Sequence, residues 1–223
     1  MNVERNTVLA ARAARHAALA DIGRLQVLDA LALSDRSPSE LQAITGLPSN
    51  LMAHHLKVLE AAGVVARRRS EGDRRRTYIT LSDETALDDV GPSLSAERVL
   101  FVCSANSARS QLAAALWAQL SDVPVGSAGT HPAETISAGA REVAARKDLD
   151  LVSESPRLFA ASRTSDDLVV AVCDNAYEEL GNVVDVHWSV PDPVRVGGQG
   201  AFDDAFDEIR RRVVTLAPRL LAS

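Results

Sequence analysis

The chain has 223 residues, 46% of them hydrophobic and 24% charged, with a formal net charge of −6. That balance supplies enough apolar surface for two small domains with a core each. No run approaches membrane-spanning length, no signal peptide is expected at the polar, mixed opening Met1 to Leu9, and two cysteines at unrelated positions point to a reducing cytoplasm rather than a disulfide framework.

In chain order, Thr7 to Leu19 reads as an Ala-rich helix. Ile22, Leu25, Val27, Leu28 and Leu31 recur as one apolar helical face. Ser37-Pro38-Ser39-Glu40 is a helix cap with Pro near the first turn, and Leu41 and Ile44 continue the pattern behind it. Gly46-Leu47-Pro48-Ser49 is a short turn with a new cap at Ser49, followed by a helix over Leu51 to Ala62 with Leu51, Leu56 and Leu59 inward. Gly63 to Arg69 then reads as a strand, Ser70 to Asp73 as a turn, and Arg74 to Leu81 as the returning strand. The product is helix, tight turn, helix, then a hairpin with arginine on both arms.

Between 54 and 80 there are seven Lys or Arg against three acids, although the N-terminal half as a whole is near neutral. One basic strip on a neutral domain fits groove binding better than a general affinity for polyanions. The alternative for the arginines is a solvated hairpin, and for His54 and His55 a helix surface and partial burial. The run His55-Leu56-Lys57-Val58-Leu59-Glu60-Ala61-Ala62-Gly63-Val64-Val65 resembles the recognition helix and turn of ArsR-type winged helix-turn-helix repressors, over roughly residues 15 to 82. The resemblance implies that the helix from Ser49 enters the major groove of a double-stranded DNA operator, presenting Ser49, Asn50, His54 and Lys57. Arg67, Arg68, Arg69, Arg74, Arg75 and Arg76 of the wing would meet phosphates. It also implies a homodimer, with the Ala-rich helix pairing two subunits. No cysteine lies in this domain, which excludes an arsenite-sensing Cys trio there.

Asp83 to Glu97 is acidic and contains Gly91-Pro92-Ser93, the mark of a linker. The expected division is therefore a DNA-binding and dimerisation domain at 1–90, a linker at 91–97 and a second domain at 98–223. Beyond the linker the pattern predicts a strand near 99, a helix at 110–120, a strand near 125, a helix at about 137–146 and a strand or loop near 158. A strand at 168–172, a helix near 175, a strand near 184 and an amphipathic helix from Phe202 to Leu221 complete it. The expected fold class is an α+β winged helix-turn-helix domain followed by an α/β domain with a parallel sheet flanked by helices.

Val99-Leu100-Phe101-Val102-Cys103 is a buried-strand run that ends on a thiol, and Arg109 and Ser110 follow six and seven positions later. A strand feeding a tight loop and then a helix leaves unpartnered N–H groups that point into the loop. With the positive end of the helix dipole behind it, such a cradle over Ser104, Ala105, Asn106, Ser107, Ala108, Arg109 and Ser110 suits a tetrahedral oxyanion and favours thiolate at Cys103. Arg109 adds a planar fork of donors, and Asn106 tolerates a left-handed backbone. The alternative is a buried, inert Cys103.

These residues, with Ser127-Ala128-Gly129-Thr130 and His187-Trp188-Ser189-Val190-Pro191-Asp192-Pro193, resemble the low-molecular-weight protein tyrosine phosphatase fold and the arsenate reductases built on it. The resemblance implies that Cys103 is the nucleophile, Arg109 the oxyanion clamp and Asp192 the general acid. Taken by itself, Asp192 also reads as an ordinary Asp-Pro turn. Ala105 stands where the family loop usually has Gly. Ala108 occupies the position of a second loop cysteine, and Leu180 that of a relay cysteine. Cys173 resembles the first relay cysteine and is a candidate resolving thiol, the alternative being a packed strand-end residue. An internal three-thiol relay is therefore excluded, and the reductant expected is an external thiol such as mycothiol, with a glutaredoxin-like partner. No tightly bound cofactor and no metal site are expected.

Three functions follow as expectations. One is an arsenic-resistance fusion of a transcriptional regulator with a thiol-dependent arsenate reductase. Another is a phosphatase acting on phosphotyrosine or small phosphate esters, disfavoured by Val194-Arg195 after Asp192-Pro193 where an aromatic pair usually flanks a phosphotyrosine pocket. The last is a non-catalytic regulator that senses arsenate or phosphate.

Overall fold

The computed structural model describes residues 2–82 and 94–222. It divides into one unit of Met1–Ser70 with Arg74–Pro92, and another of Glu71–Asp73 with Ser93–Ser223.

In the first unit, α1 (Asn2–Leu19) and α2 (Ile22–Leu31) precede the helix pair α3 (Pro38–Thr45) and α4 (Ser49–Ala61). Asp21 caps α2 by accepting from the Arg24 N–H. The start of α3 is a reciprocal capping box, in which the Ser37 side chain accepts from the Glu40 N–H and Glu40 accepts from the Ser37 N–H at 2.6 Å. Its end is Gly46, left-handed at φ 71°. The helix α4 is capped differently from the expectation. Pro48 holds the cap position without a side-chain bond and Ser49 is the first helical residue, because Pro supplies the extended backbone that precedes a helix.

Strands β1 (Val65–Arg69) and β2 (Thr77–Leu81) pair antiparallel, from Val65 opposite Leu81 to Arg69 opposite Thr77. Arg74, Arg75 and Arg76 fall ahead of β2 rather than inside it. Around Val27, Leu28, Leu31, Leu41, Met52, Leu56, Leu59 and Ile79 a single apolar core forms. Ile22, Leu25, Ile44 and Leu51, expected inward, are exposed. On α4 the buried set is Met52, His55, Leu56 and Leu59, a helical repeat from which Leu51 lies about 100° out of phase. His54 is exposed and His55 buried.

The second unit runs β3 (Leu94–Ala96), β4 (Arg98–Cys103), α5 (Arg109–Leu120), β5 (Val125–Gly129), α6 (Ala138–Arg146), α7 (Phe159–Ser162), β6 (Asp167–Ala171), α8 (Asp174–Leu180), β7 (Val186–His187), α9 (Pro193–Val196), α10 (Gln199–Leu216) and β8 (Leu220–Ala222). Four strands form a parallel sheet in the order β5-β4-β6-β7. Between two neighbours and covered on both faces, β4 is buried from Val99 to Cys103, which is why its sequence shows no alternation.

Two expectations change here. Leu94–Ala96, inside the expected 91–97 linker, pairs parallel with Leu220–Ala222 as a separate two-stranded sheet. The last helix ends at Leu216, not Leu221, and a short 3₁₀ turn containing Pro218 leads into β8. Proline cannot continue the helical hydrogen bonding, so the chain is freed to pair as a strand. The rest of the expected acidic linker, 83–93, lies outside the described residues.

Candidate active site

The second strand of the sheet order, β4, ends at Cys103, paired across from Gly129 at the end of β5. Between Cys103 and α5 the loop 104–108 turns back on itself. Three of its carbonyls, with that of Cys103 before it, are directed outward: those of Cys103, Ser104, Ala105 and Ser107 accept from the N–H groups of Thr130, His131, Ala133 and Ser137 at 2.8–3.1 Å. A peptide whose carbonyl faces out turns its neighbouring N–H in, so these four bonds aim amide donors at the loop's interior. At the start of α5, Ala108 occupies the cap position and offers no side-chain acceptor. The first-turn amides of a 12-residue helix are thereby left for a ligand.

Asn106 locks this shape. It is the loop's left-handed residue, at φ 49°, and is wholly buried. Its Oδ1 accepts from the Arg157 N–H at 2.8 Å and from Gln111 Nε2 at 3.2 Å, while its Nδ2 donates to Ser110 Oγ at 2.8 Å. Ser110 Oγ lies 3.1 Å from Cys103 Sγ. Asn106 donates to that oxygen and takes one of its lone pairs, and the Ser110 hydroxyl proton is then placed to donate to the sulfur when Cys103 is a thiolate. The Asn106 N–H also donates to Sγ, at 3.2 Å. Asn106, expected among the amides that hold an oxyanion, thus gives its N–H to the Cys103 sulfur. Ala105 does not adopt the left-handed region, so its Cβ brings no backbone strain to the position where Gly was expected. Gly129 is required instead: a Cβ there would meet Ser104 O at 2.6 Å and the Asn106 N at 2.9 Å.

The Arg109 side chain is buried, 4% exposed, and is ion-paired rather than open. Nη2 meets Asp192 Oδ2 at 2.9 Å, and Nη1 donates to Val190 O at 2.9 Å with Glu71 Oε2 at 3.5 Å. Burial alone would lower its pKa, but the neighbouring Cys173, Cys103, Asp192 and Glu71 outweigh that and raise it. Asp192 does two things at once. Its Oδ1 caps α9 by accepting from the Val194 N–H, and its Oδ2 holds Arg109, so the Asp-Pro turn and a place beside the cradle are both realised.

Cys173 caps α8, its Sγ accepting from the Ala176 N–H and lying 3.7 Å from Ser104 Oγ. Burial pushes its thiol up to about 11, and both cysteines are free. It is therefore protonated at neutral pH, which ill suits it to attack as a resolving thiolate.

Three features escaped the sequence. Glu71 lies beside Arg109, Asp192 and Arg195, and nothing local marks a turn glutamate as the partner of residues 38 to 124 positions away. Asp174 Oδ1 binds the buried His187 Nε2 at 3.0 Å, with Tyr177 stacked on that imidazole. Gln111 joins the loop through both its bonds to Asn106; being one turn into a helix behind a buried strand was its only signal.

In the first unit, Ser49, Asn50, His54 and Lys57 are exposed on α4. Arg67, Arg69, Arg74, Arg75 and Arg76 are exposed on the hairpin and Arg68 partly so. Glu60 holds Arg67 at 2.6 Å, which ties α4 to β1, the first arm of the hairpin. Among the described residues no helix is long and apolar enough to cross a membrane, and no cluster of three or more metal-ligating side chains occurs.

Residues 98–223 match the family model described as low molecular weight phosphotyrosine protein phosphatase. Residues 21–76 match that of the MarR family, a winged-helix group that is not specifically the ArsR type. No curated protein matches the chain. Similar solved structures include an arsenate reductase from Archaeoglobus fulgidus DSM 4304, 28% identical over 54% of this chain and 98% of that one, with a TM-score of 0.47. The YwlE arginine phosphatase from Geobacillus stearothermophilus is 28% identical over 55% and 91%, with a TM-score of 0.46. The tyrosine phosphatase Wzb from Escherichia coli K30, in complex with sulphate, is 22% identical over 55% and 97%, with a TM-score of 0.48.

Proposed function

The chain belongs to the low molecular weight phosphotyrosine protein phosphatase family through residues 98–223, and on that premise we propose that it is an arsenic-resistance regulator whose second unit reduces arsenate with an external thiol. The observation that carries the reading is the convergence on Cys103 Sγ of the Asn106 N–H and the Ser110 hydroxyl, beneath a loop whose outward carbonyls leave its amides facing in. In this reading Cys103 sulfur attacks arsenic of HAsO₄²⁻, and an As–O bond breaks as Asp192 gives its proton to the departing oxygen. The loop amides and Arg109 hold the remaining oxygens. An external thiolate then attacks Cys103 sulfur, the As–S bond electrons pass to arsenic, and arsenic(V) leaves as arsenite. A second equivalent of thiol reduces the mixed disulfide and regenerates Cys103, so two thiols are oxidised for one two-electron reduction.

A small inorganic substrate is favoured by the side chains after Asp192. Val194 and Val196 are exposed and Arg195 is paired to Glu71, so this segment offers no aromatic face on which a phenyl ring would stack. The second reading, ester hydrolysis, uses the same Cys103, Arg109 and Asp192 with water in place of the thiol. It is favoured by the protonated Cys173, since a phosphatase needs no resolving sulfur.

For the first unit, the reading is an ArsR-type operator-binding homodimer, supported by the His55–Val65 motif and by the exposed arginines of the hairpin. One experiment separates the enzymatic readings: arsenite release with added low-molecular-weight thiol, beside p-nitrophenyl phosphate hydrolysis without it. Arsenite release that Cys103→Ser abolishes is the expected result. Ester turnover without arsenite formation would move the assignment to phosphatase, and arsenite formation that survives Cys103→Ser would end both.

A further inference from the structure

The segment Glu71–Asp73 belongs to the second unit and is held there by three kinds of contact. Its N–H groups are fixed at both ends, the Glu71 N–H donating to Asp174 Oδ2 at 2.8 Å and the Asp73 N–H to Glu178 Oε2 at 2.6 Å. Between them Gly72 approaches α8 so closely that a Cβ would lie 2.4 Å from Glu178 Oε2 and 2.9 Å from Asn175 Oδ1. The Glu71 carboxylate, only 15% exposed, faces the cradle: Oε2 accepts from the Asp192 N–H at 3.0 Å and sits 3.5 Å from Arg109 Nη1, while Oε1 binds Arg195.

Arg109 has one guanidinium for the oxyanion, and here it is shared between Asp192 and Glu71. Asp192 belongs to the chemistry of the site. Glu71 has no step in that chemistry, and its position is the one a second anion would have to contest. Resting on the reading of the Cys103 loop as an oxyanion site, we propose that Glu71 is an autoinhibitory carboxylate that competes in cis with the substrate oxyanion for Arg109. Substrate binds only when Glu71 withdraws, and the apparent affinity is the intrinsic affinity multiplied by the fraction of molecules in which it has done so. A carboxylate and an oxyanion dianion at the same guanidinium also repel each other, so the two occupancies exclude one another. The arrangement keeps the site closed to ambient phosphate and sets a threshold of oxyanion concentration for its use.

The test is calorimetric titration of the full chain with inorganic phosphate, for the wild type, Glu71→Gln and Glu71→Ala. Gln keeps the shape and the acceptor for the Asp192 N–H but not the charge. Both variants are expected to bind phosphate about tenfold more tightly. Affinity unchanged or weakened in both overturns the proposal, because Glu71 would then be a support of the Asp192 loop, and a tighter Ala with an unchanged Gln overturns the role of its charge. Turnover is read separately: tighter phosphate without arsenite formation or ester cleavage leaves the competition standing and removes the enzymatic reading. Failure of every variant to bind phosphate removes both.

Discussion

Asn106 and Gly129 are the residues on which the cradle depends, and for opposite reasons. Asn106 contributes a side chain that no other residue type reproduces, accepting from Arg157 and Gln111 while donating to Ser110. Asn106→Ala removes the acceptor of the Arg157 N–H and of Gln111 Nε2 and releases the Ser110 hydroxyl. It is expected to cost about 1–3 kcal/mol in urea unfolding and to lower kcat more than it raises KM. Gly129 contributes the absence of one, since its Cβ would press on backbone atoms of residues 104 and 106. Gly129→Ala is expected to destabilise by about 1–3 kcal/mol and to lose turnover even where the fold survives. Cys173 offers a chemical check: with its thiol pushed up to about 11 and buried, peptide mapping after iodoacetamide treatment of the folded protein at neutral pH is expected to find it unmodified. At this scale the sequence was partly legible. The strand ending on Cys103 and the Arg109-Ser110 pair name the loop because they are adjacent in the chain. Asn106 reads as a turn residue, and two of its partners, Ser110 and Gln111, are close in the chain, but the Arg157 N–H lies 51 positions away and is invisible locally.

Helix termini carry the element-scale consequences. The reciprocal bonds of Ser37 and Glu40 satisfy two otherwise orphaned amides of α3. Ser37→Ala should destabilise the first unit by about 1 kcal/mol, measured by denaturant unfolding followed on its helical signal. At the start of α8, burial would raise the Asp174 carboxyl, yet bonds from His187, the Glu71 N–H and Ser189 outweigh it and hold the group below the ordinary carboxylate value. A carboxyl depressed in the folded state stabilises above its unfolded value of about 3.9 and loses that contribution as pH falls through the folded value. The acid limb of the stability profile should therefore be shallower in Asp174→Asn than in the wild type below about pH 4, measured by urea midpoints across the acid range. Helices were legible wherever a cap and a 3.6-residue repeat coincided, as at Ser37 and in Leu56 with Leu59. Where the sequence offered apolar residues out of phase, at Leu51 and Ile22, burial followed geometry instead of hydrophobicity. Two short strands, β3 and β8, carried no readable pattern because three residues are too few to show an alternation.

For the molecule as a whole, the division of labour shows in its charge. The basic strip lies on the hairpin of a near-neutral domain and the acidic excess elsewhere. If Arg75 and Arg76 meet DNA phosphates, their replacement by Ala should weaken binding about equally for all sequences and lower the slope of log affinity against log salt by about 1 per lost contact. Fluorescence anisotropy with one specific and one unrelated duplex at several salt concentrations measures both; an unaltered slope returns these arginines to the solvated surface. That two domains follow one another was legible because each carries its own hydrophobic periodicity and its own motif. The place of Glu71 was not, because it depends on the arrival of a turn beside residues that lie far along the chain.

The side-by-side strands β3 and β8 have a topological meaning of their own. By pairing Leu94 with Leu220 and Ala96 with Ala222, they bring the beginning and the finish of the second unit's main polypeptide run to neighbouring points on one edge. A module whose two seams are adjacent can be spliced into a host without stretching it. Its own ends can likewise be ligated by a short bridge and reopened at a distant surface loop. Such a permuted circle should keep the sheet and the sulfur beneath its loop intact.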